Sequence, residues 1–390
     1  MKKLLVLLLA ATLLFPFSGS AAGAEPRLRI RDEINCLKCA ENGIWINEDP
    51  AYAKLVNTLL YATQKEGFRG SAVVATDDEI IFASGTGLTE LDGSVVTPFT
   101  TYEIGSLTKS FTAVCVMKLA EEGRISLQDT AGSFFPEYAA CPAYEKLCGV
   151  TVSDLLRMRS GLPDYLNAPE RFFGMDLILS LGGGELKNAL YNEAFVNSLL
   201  ETVKEDGPFL EYLFSCEALT EPDAAYAYSN TNYRLLAVIT ERVTGKPYEE
   251  YMKETVFDPC GMSDTSAMSD GRAEASPGAE GWHMLNAAIK GAGDIFSSAA
   301  DLLKYDRALF GGHLLEDASL RELLRPAEGY ACGWYAQGDA LYHSGGTPGF
   351  STLDYIVSRN GKRLYIISLA DLNENLSGTV YRYLDKWFKP

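Results

Sequence analysis

The sequence predicts an α+β fold in which an antiparallel sheet, built from strands at both ends of the chain, is flanked by helices and interrupted by a helical insert. Two observations carry this. Ser71–Ala75 (SAVVA) and Glu79–Ala83 (EIIFA) are β-rich runs joined by Thr76, Asp77 and Asp78, which reads as a hairpin. Far along the chain, Phe350–Ser358 and Lys362–Ala370 are two more such runs around Asn360 and Gly361, a strong turn signal. Between the two hairpins the pattern is helical: Ser106–Glu122 stopped by Gly123, Ser153–Met158 by Gly161, Asn232–Val243 by Gly245, and then Tyr248–Val256. Strands separated by a run of helices give an α+β layering.

Composition permits a sizeable core. The 390 residues are 47% hydrophobic and 22% charged, which excludes disorder, collagen and coiled coil. A formal net charge of −18 repels phosphate backbones and anionic lipid, so no nucleic-acid partner is expected. Met1–Ala24 has a basic start at Lys2 and Lys3, an apolar run from Leu4 to Phe17 and small residues at Ala22, Gly23 and Ala24. That is the pattern of a signal peptide cleaved before Glu25. The apolar run is shorter than the roughly 20 residues a membrane-spanning helix needs. The expectation is a secreted or extracytoplasmic product with no stable membrane span.

The reading divides the chain into a leader at 1–24, an N-terminal extension at 25–57 and a main domain at 58–390, with the insert at about 141–290. Residues 167–222, carrying Gly182, Gly183 and Gly184 between helical stretches, read as a cap over the middle. Eight cysteines in an exported chain allow disulfides. Cys36 with Cys39, and Cys141 with Cys148, are the local candidate pairs; Cys115 sits in an apolar helical run and reads as a buried thiol. The three histidines, His283, His313 and His343, are not at zinc-ligand spacing from a cysteine pair, so no metal and no other cofactor is expected.

Chemistry concentrates in three clusters. In SLTK, Ser106 and Lys109 stand three apart, on one side of a helix and one turn from each other. The helix is apolar nearly all round, and desolvation lowers a lysine pKa, which makes a neutral amine beside a hydroxyl a workable general base. Backbone N–H groups at the helix start are available to an oxyanion. Taken alone, the tetrapeptide equally fits a capped helix with a lysine snorkelling to water. In the second cluster, Tyr226-Ala-Tyr-Ser-Asn230, Tyr228 can relay a proton and the Asn230 amide can hold a substrate amide. The third runs from His343 to Phe350, where Gly345 and Gly346 let another backbone approach a strand edge. No G-x-S-x-G, H-E-x-x-H or Walker loop is present.

Together, in this order, the three clusters resemble the serine β-lactamase and penicillin-recognising DD-peptidase superfamily, in its class C-like branch. Flanking stretches are similar too: VSDLLRMRSGLPDY, VFDPCGMSDT and YHSGGTPGF, with the likeness running from about residue 58 to 385. The resemblance implies Ser106 as acylated nucleophile, Lys109 as its base partner, Tyr228 as proton relay and Asn230 as a polar anchor for substrate. It places His343 where lactamases of this branch usually carry a lysine, and Gly346 where a strand N–H completes the oxyanion hole with that of Ser106. Asp223 follows Pro222 where a glycine is common, and 167–222 match nothing in the family pattern. The expected function is an exported serine hydrolase working through an acyl-enzyme on a small-molecule or peptide substrate, either D-alanyl peptides (carboxypeptidase-like) or esters. The alternatives are a class C-type β-lactamase and a non-catalytic, penicillin-binding sensor of cell-wall peptides. With histidine in place of lysine, weak β-lactam turnover is expected, with carboxylate-bearing substrates favoured as pH falls towards the imidazole pKa.

Overall fold

The computed structural model describes residues 43–371 apart from 66–67, 91–92, 184–191, 223–224, 268–273, 276–280 and 360. The leader with its cleavage site, Cys36 and Cys39, and Asp223 lie outside the described residues. Along the chain run β1 (Ile44–Ile46), α1 (Ala53–Lys65), β2 (Gly70–Thr76), β3 (Ile80–Thr86), β4 (Tyr102–Glu103), α2 (Thr108–Glu121), α3 (Asp206–Ser215), α4 (Asn230–Thr244), β5 (Ser266–Ala267), β6 (Ile295–Ser297), α5 (Ala299–Phe310), β7 (Tyr335–Gln337), β8 (Ala340–Gly346), β9 (Phe350–Arg359) and β10 (Lys362–Asp371). Shorter helical turns fill the insert.

Both sequence-predicted hairpins form, within three residues of their expected ends. They meet at β2 and β10, in register Val74 to Ile366 and Ala72 to Ser368, and so join the two ends of the chain in one antiparallel sheet of order β1-β3-β2-β10-β9-β8-β7. A second, three-stranded sheet has the order β4-β6-β5. Strand periodicity sorts the main sheet's side chains between two cores. Ala72, Val74, Leu364 and Ile366 pack with Leu55, Val56 and Leu59 of α1, while Val73, Ala75, Tyr365 and Ile367 share the large core that includes α2, α4 and α5. β1 already pairs with β3 and α1 begins at Ala53, so the chain enters the fold ahead of residue 58. Ile44–Ile46 is too short a run to show a period.

The cap segment is part of the large core rather than a loose cover. Phe172 stacks on Phe209 of α3, with Tyr165 against both rings. Arg234 of α4, fully buried, and Lys290 both reach Asp206 at the start of α3, at 3.2 and 2.6 Å, and Lys290 also reaches Glu241 at 2.8 Å. Two cations facing two carboxylates keep these charges paired where water is scarce. The expected Cys141–Cys148 disulfide is not present: both thiols are free, as are those of Cys115, Cys216, Cys260 and Cys332. The chain winds helically between the pair, with Tyr144 N–H on the Cys141 carbonyl and Cys148 N–H on that of Tyr144. Seven residues at helical rise separate Cα atoms by ~10 Å, beyond the reach of a disulfide. Among the described residues no helix is long and apolar enough to cross a membrane.

His283 fastens three segments. Its Nδ1 lies 2.7 Å from Glu103 of β4 and its Nε2 3.1 Å from Glu90. The hydrogen bond to Glu103 does most to raise its pKa above the ordinary value, with burial opposing. A raised folded-state pKa means stabilisation that is complete below the unfolded value of about 6.5 and lost as pH climbs through the folded one. His283→Gln should therefore cost on the order of 1 kcal/mol at pH 6 and much less at pH 9; denaturant titrations of both proteins at the two pH values check this, and an equal loss at both would refute it.

Candidate active site

The nucleophile candidate owes its position to a turn pinned on several sides. Tyr102–Glu103 runs in β4, the Ile104 N–H bonds to the Ile295 carbonyl at 3.0 Å, and the Ile104 carbonyl accepts from Thr352 Oγ1 of β9 at 2.8 Å. The chain then tightens into a 3₁₀ turn, Gly105–Leu107, that leads into α2. Gly105 takes φ +53, and a Cβ there would lie 3.0 Å from the Gly346 nitrogen. A Cβ on Gly345 would fall 2.0 Å from the Ile104 carbonyl oxygen and 2.2 Å from Thr352 Oγ1. The glycines of HSGG thus let β8 lie directly against the serine turn.

The ladder aims the strand's backbone. Thr347 and Phe350 exchange both N–H···O bonds, at 3.0 and 3.3 Å, closing a two-residue hairpin loop. Antiparallel pairs alternate, so the next pair, Gly346 with Ser351, is of the non-hydrogen-bonded kind and the Gly346 N–H points away from β9. Ser106 N–H belongs to a first helical turn, where backbone donors have no carbonyl behind them. Neither N–H is thus spent within its own helix or ladder.

Ser106 Oγ is 2.9 Å from Lys109 Nζ and 2.9 Å from Tyr228 Oη. Lys109 is wholly buried, and its Nζ also contacts Asn230 Oδ1 at 2.8 Å and the Ala292 carbonyl at 2.6 Å. Burial brings its pKa down to about 7, with Asp164 and Asp294 pulling the other way. A neutral amine has two N–H bonds and one lone pair: the hydrogens go to Asn230 and Ala292, and the lone pair faces the Ser106 hydroxyl. Burial pushes the Tyr228 phenol well above its ordinary pKa, so it holds its proton.

Asn230 opens α4, and its Nδ2 donates to the Asp164 carboxylate at 2.9 Å, which fixes its oxygen towards Lys109. Both ends of the amide are engaged. Asn230, expected as a polar anchor for substrate, here links Lys109 to Asp164. Asp164 was missed as a contributor: it lies in the SGLPDY stretch, and its carboxylate also accepts from the Leu166 and Asn167 backbone. The Ala292 carbonyl has no sequence signal at all, since a backbone group carries no side-chain identity.

His343 departs furthest from expectation. It is 2% exposed, sits in the wall behind Tyr228 with ring centres 6.3 Å apart, and uses Nδ1 on the Ser344 carbonyl at 2.7 Å and Nε2 on Tyr330 Oη at 3.3 Å. Burial, with Lys109 adding to it, lowers its pKa to about 3. His343 therefore stays neutral at working pH, and the expected gain on carboxylate-bearing substrates as pH falls has no titrating group behind it. The close fit of β8 predicts that Gly345→Ala, which drives a methyl into the Ile104 carbonyl, lowers the melting temperature and abolishes covalent labelling of Ser106; a variant that melts and labels as the parent does would contradict this packing.

Comparison with known proteins bears on the family and the fold. Residues 57–382 match the family model described as Beta-lactamase. Penicillin-binding protein 4* of Bacillus subtilis (strain 168) is 26% identical over 325 residues, covering 74% of this chain and 65% of that protein, so the chain spans about two thirds of that relative. Among solved structures, a penicillin binding protein from Bacillus halodurans is similar with TM-score 0.65 and 20% identity over 85% of this chain and all of that one. A D-stereospecific amidohydrolase from Streptomyces sp. is similar with TM-score 0.63 and 24% identity over 86% and 98%. With a family match across nearly the whole described fold, the chain belongs to the beta-lactamase family of serine hydrolases.

Proposed function

We propose that the protein is an exported enzyme that hydrolyses D-alanyl peptides or simple esters through an acyl-enzyme on Ser106. The observation that carries this is one hydroxyl held at 2.9 Å by both a buried amine and a proton-bearing phenol. Lys109 takes the Ser106 proton as Oγ attacks the substrate carbonyl carbon, and the carbonyl oxygen gathers the electron pair between the Ser106 and Gly346 N–H groups. Collapse expels the amine or alcohol, which takes a proton from Tyr228, and the proton held by Lys109 returns to the phenolate. Water then attacks the acyl carbon as Lys109 takes its proton, and collapse breaks the bond to Ser106 Oγ, releasing the acid product while Lys109 returns the proton to Oγ. The depressed Lys109 pKa and the raised Tyr228 pKa divide the work between base and acid.

Substrate class rests on the names of the relatives, which speak of penicillin binding and D-stereospecific amide hydrolysis, and on His343. A neutral, buried imidazole provides no cation for the carboxylate that β-lactams share with peptide C-termini, so His343 favours esters over both, and the D-alanyl peptide reading rests on the relatives' names. Export rests on the leader at Met1–Ala24.

Two expectations follow. Ser106→Ala abolishes labelling by a fluorophosphonate, Lys109→Ala slows it by ~10² to 10⁴, and the parent's labelling rate climbs as pH rises through about 7, because the base is the unprotonated amine; an adduct mapped by mass spectrometry to another serine, or a flat pH profile, defeats the assignment. In a panel of a D-alanyl-D-alanine peptide, short-chain nitrophenyl esters and a chromogenic cephalosporin, kcat/KM for the best ester or peptide should exceed that for the cephalosporin, and the reverse order would make the protein a β-lactamase.

A further inference from the structure

Tyr228 is carried on a short loop, residues 225–229, that has no helix or strand of its own. Two other segments hold its backbone. The Ala227 N–H donates to the Met158 carbonyl at 2.8 Å and the Ser229 N–H to the Met158 sulfur at 3.5 Å. The Tyr226 N–H donates to Glu328 Oε2 at 2.6 Å, and that carboxylate is paired with Arg159 Nη1 at 3.0 Å. Met158 and Glu328 are also the two non-glycine residues with positive φ among the described residues, at 57° and 51°. Both left-handed side chains therefore grip the same loop, the pattern in which local strain marks a functional position.

Glu328 is the more telling of the two. Ala327 and Tyr330 exchange backbone bonds at 2.8 and 3.0 Å, so Glu328 and Gly329, at φ 51° and 85°, form a two-residue hairpin turn with both central residues left-handed. Such turns favour Asn, Asp or Gly at the first position, and glutamate is a poor choice on turn chemistry alone. What glutamate adds is reach. The same hairpin arm holds the Tyr226 side chain, whose hydroxyl donates to Tyr335 Oη at 3.2 Å and whose ring lies 5.7 Å from that of Tyr330. The arm is itself seated on the helix that carries Lys109: a Cβ on Gly333 would come within 2.7 Å of Ser110 Cα and 2.8 Å of the Lys109 carbonyl.

We propose that Glu328, braced by Arg159, is a positioning residue that sets the Tyr226–Ser229 loop so that the Tyr228 hydroxyl meets Ser106. The inference rests on the role proposed above for Tyr228. The decisive variant is Glu328→Asn, because asparagine suits the turn better while its shorter side chain withdraws the carboxylate from Tyr226. Expected are a melting temperature equal to or above the parent's, faster hydrogen–deuterium exchange at the amides of residues 226–229, and a fall of about tenfold in fluorophosphonate labelling and in kcat with KM little changed. Arg159→Gln should move the same quantities in the same direction by less, and Glu328→Gln, which keeps the length, should lie between parent and Glu328→Asn. Parent-like exchange at 226–229 in Glu328→Asn overturns the clamp, and parent-like labelling with raised exchange overturns its bearing on Tyr228. A parent protein that fails to label at Ser106 refutes the proposed function instead, and the exchange comparison still decides the clamp.

Discussion

An amine buried away from bulk water is the constraint on which this structure turns. Lys109 is fully buried within an apolar helix, and an ammonium there would be costly. The fold meets that cost in two ways at once. It lets the amine lose its proton near neutrality, and it supplies two fixed acceptors, Asn230 Oδ1 and the Ala292 carbonyl. What is left over is a lone pair pointed at a hydroxyl one helical turn away.

That arrangement explains why distant segments converge on α2. Asn230 is useful to Lys109 only because Asp164 holds the other end of its amide, and Asp164 is anchored by the turn that follows SGLP. Ala292 sits just beyond Lys290, whose ion pairs with Asp206 and Glu241 tie the cap segment to α4. The cap is thereby coupled to the acceptor under Lys109, and disturbing the Arg234, Lys290 and Asp206 network would be felt at the base as well as in stability.

The sheet solves a second problem, that of bringing the Gly346 N–H beside the serine turn from the other end of the chain. β2 and β10 pair so that β8 arrives beside the turn at Gly105–Leu107, and close approach is possible because neither Gly345 nor Gly105 carries a Cβ. The alternation of the β8–β9 ladder then turns the Gly346 N–H outward. The geometry of the candidate site is a by-product of strand register, which is why a methyl group at residue 345 is expected to act on the site and on stability together.

How much of this was legible in the chain depends on how local each feature is. Hairpins at 71–83 and 350–370, the helix after Ser106, and the one-turn relation of Ser106 to Lys109 all follow from patterns a few residues long, and they stand in the structure nearly as read. The pairing of Tyr228 with Ser106 was reachable only through the order of three motifs and the family they resemble. Burial was not legible. It turned Asn230 inward to Lys109, made His343 a neutral wall residue, and left Glu328 to be recognised by a backbone angle. A helical winding likewise kept Cys141 from Cys148. Sequence by itself determined which groups are available and which neighbours on one element share a face; tertiary structure decided which of them lose water and which acceptors they meet, because desolvation depends on contacts between residues that lie a hundred or more positions apart.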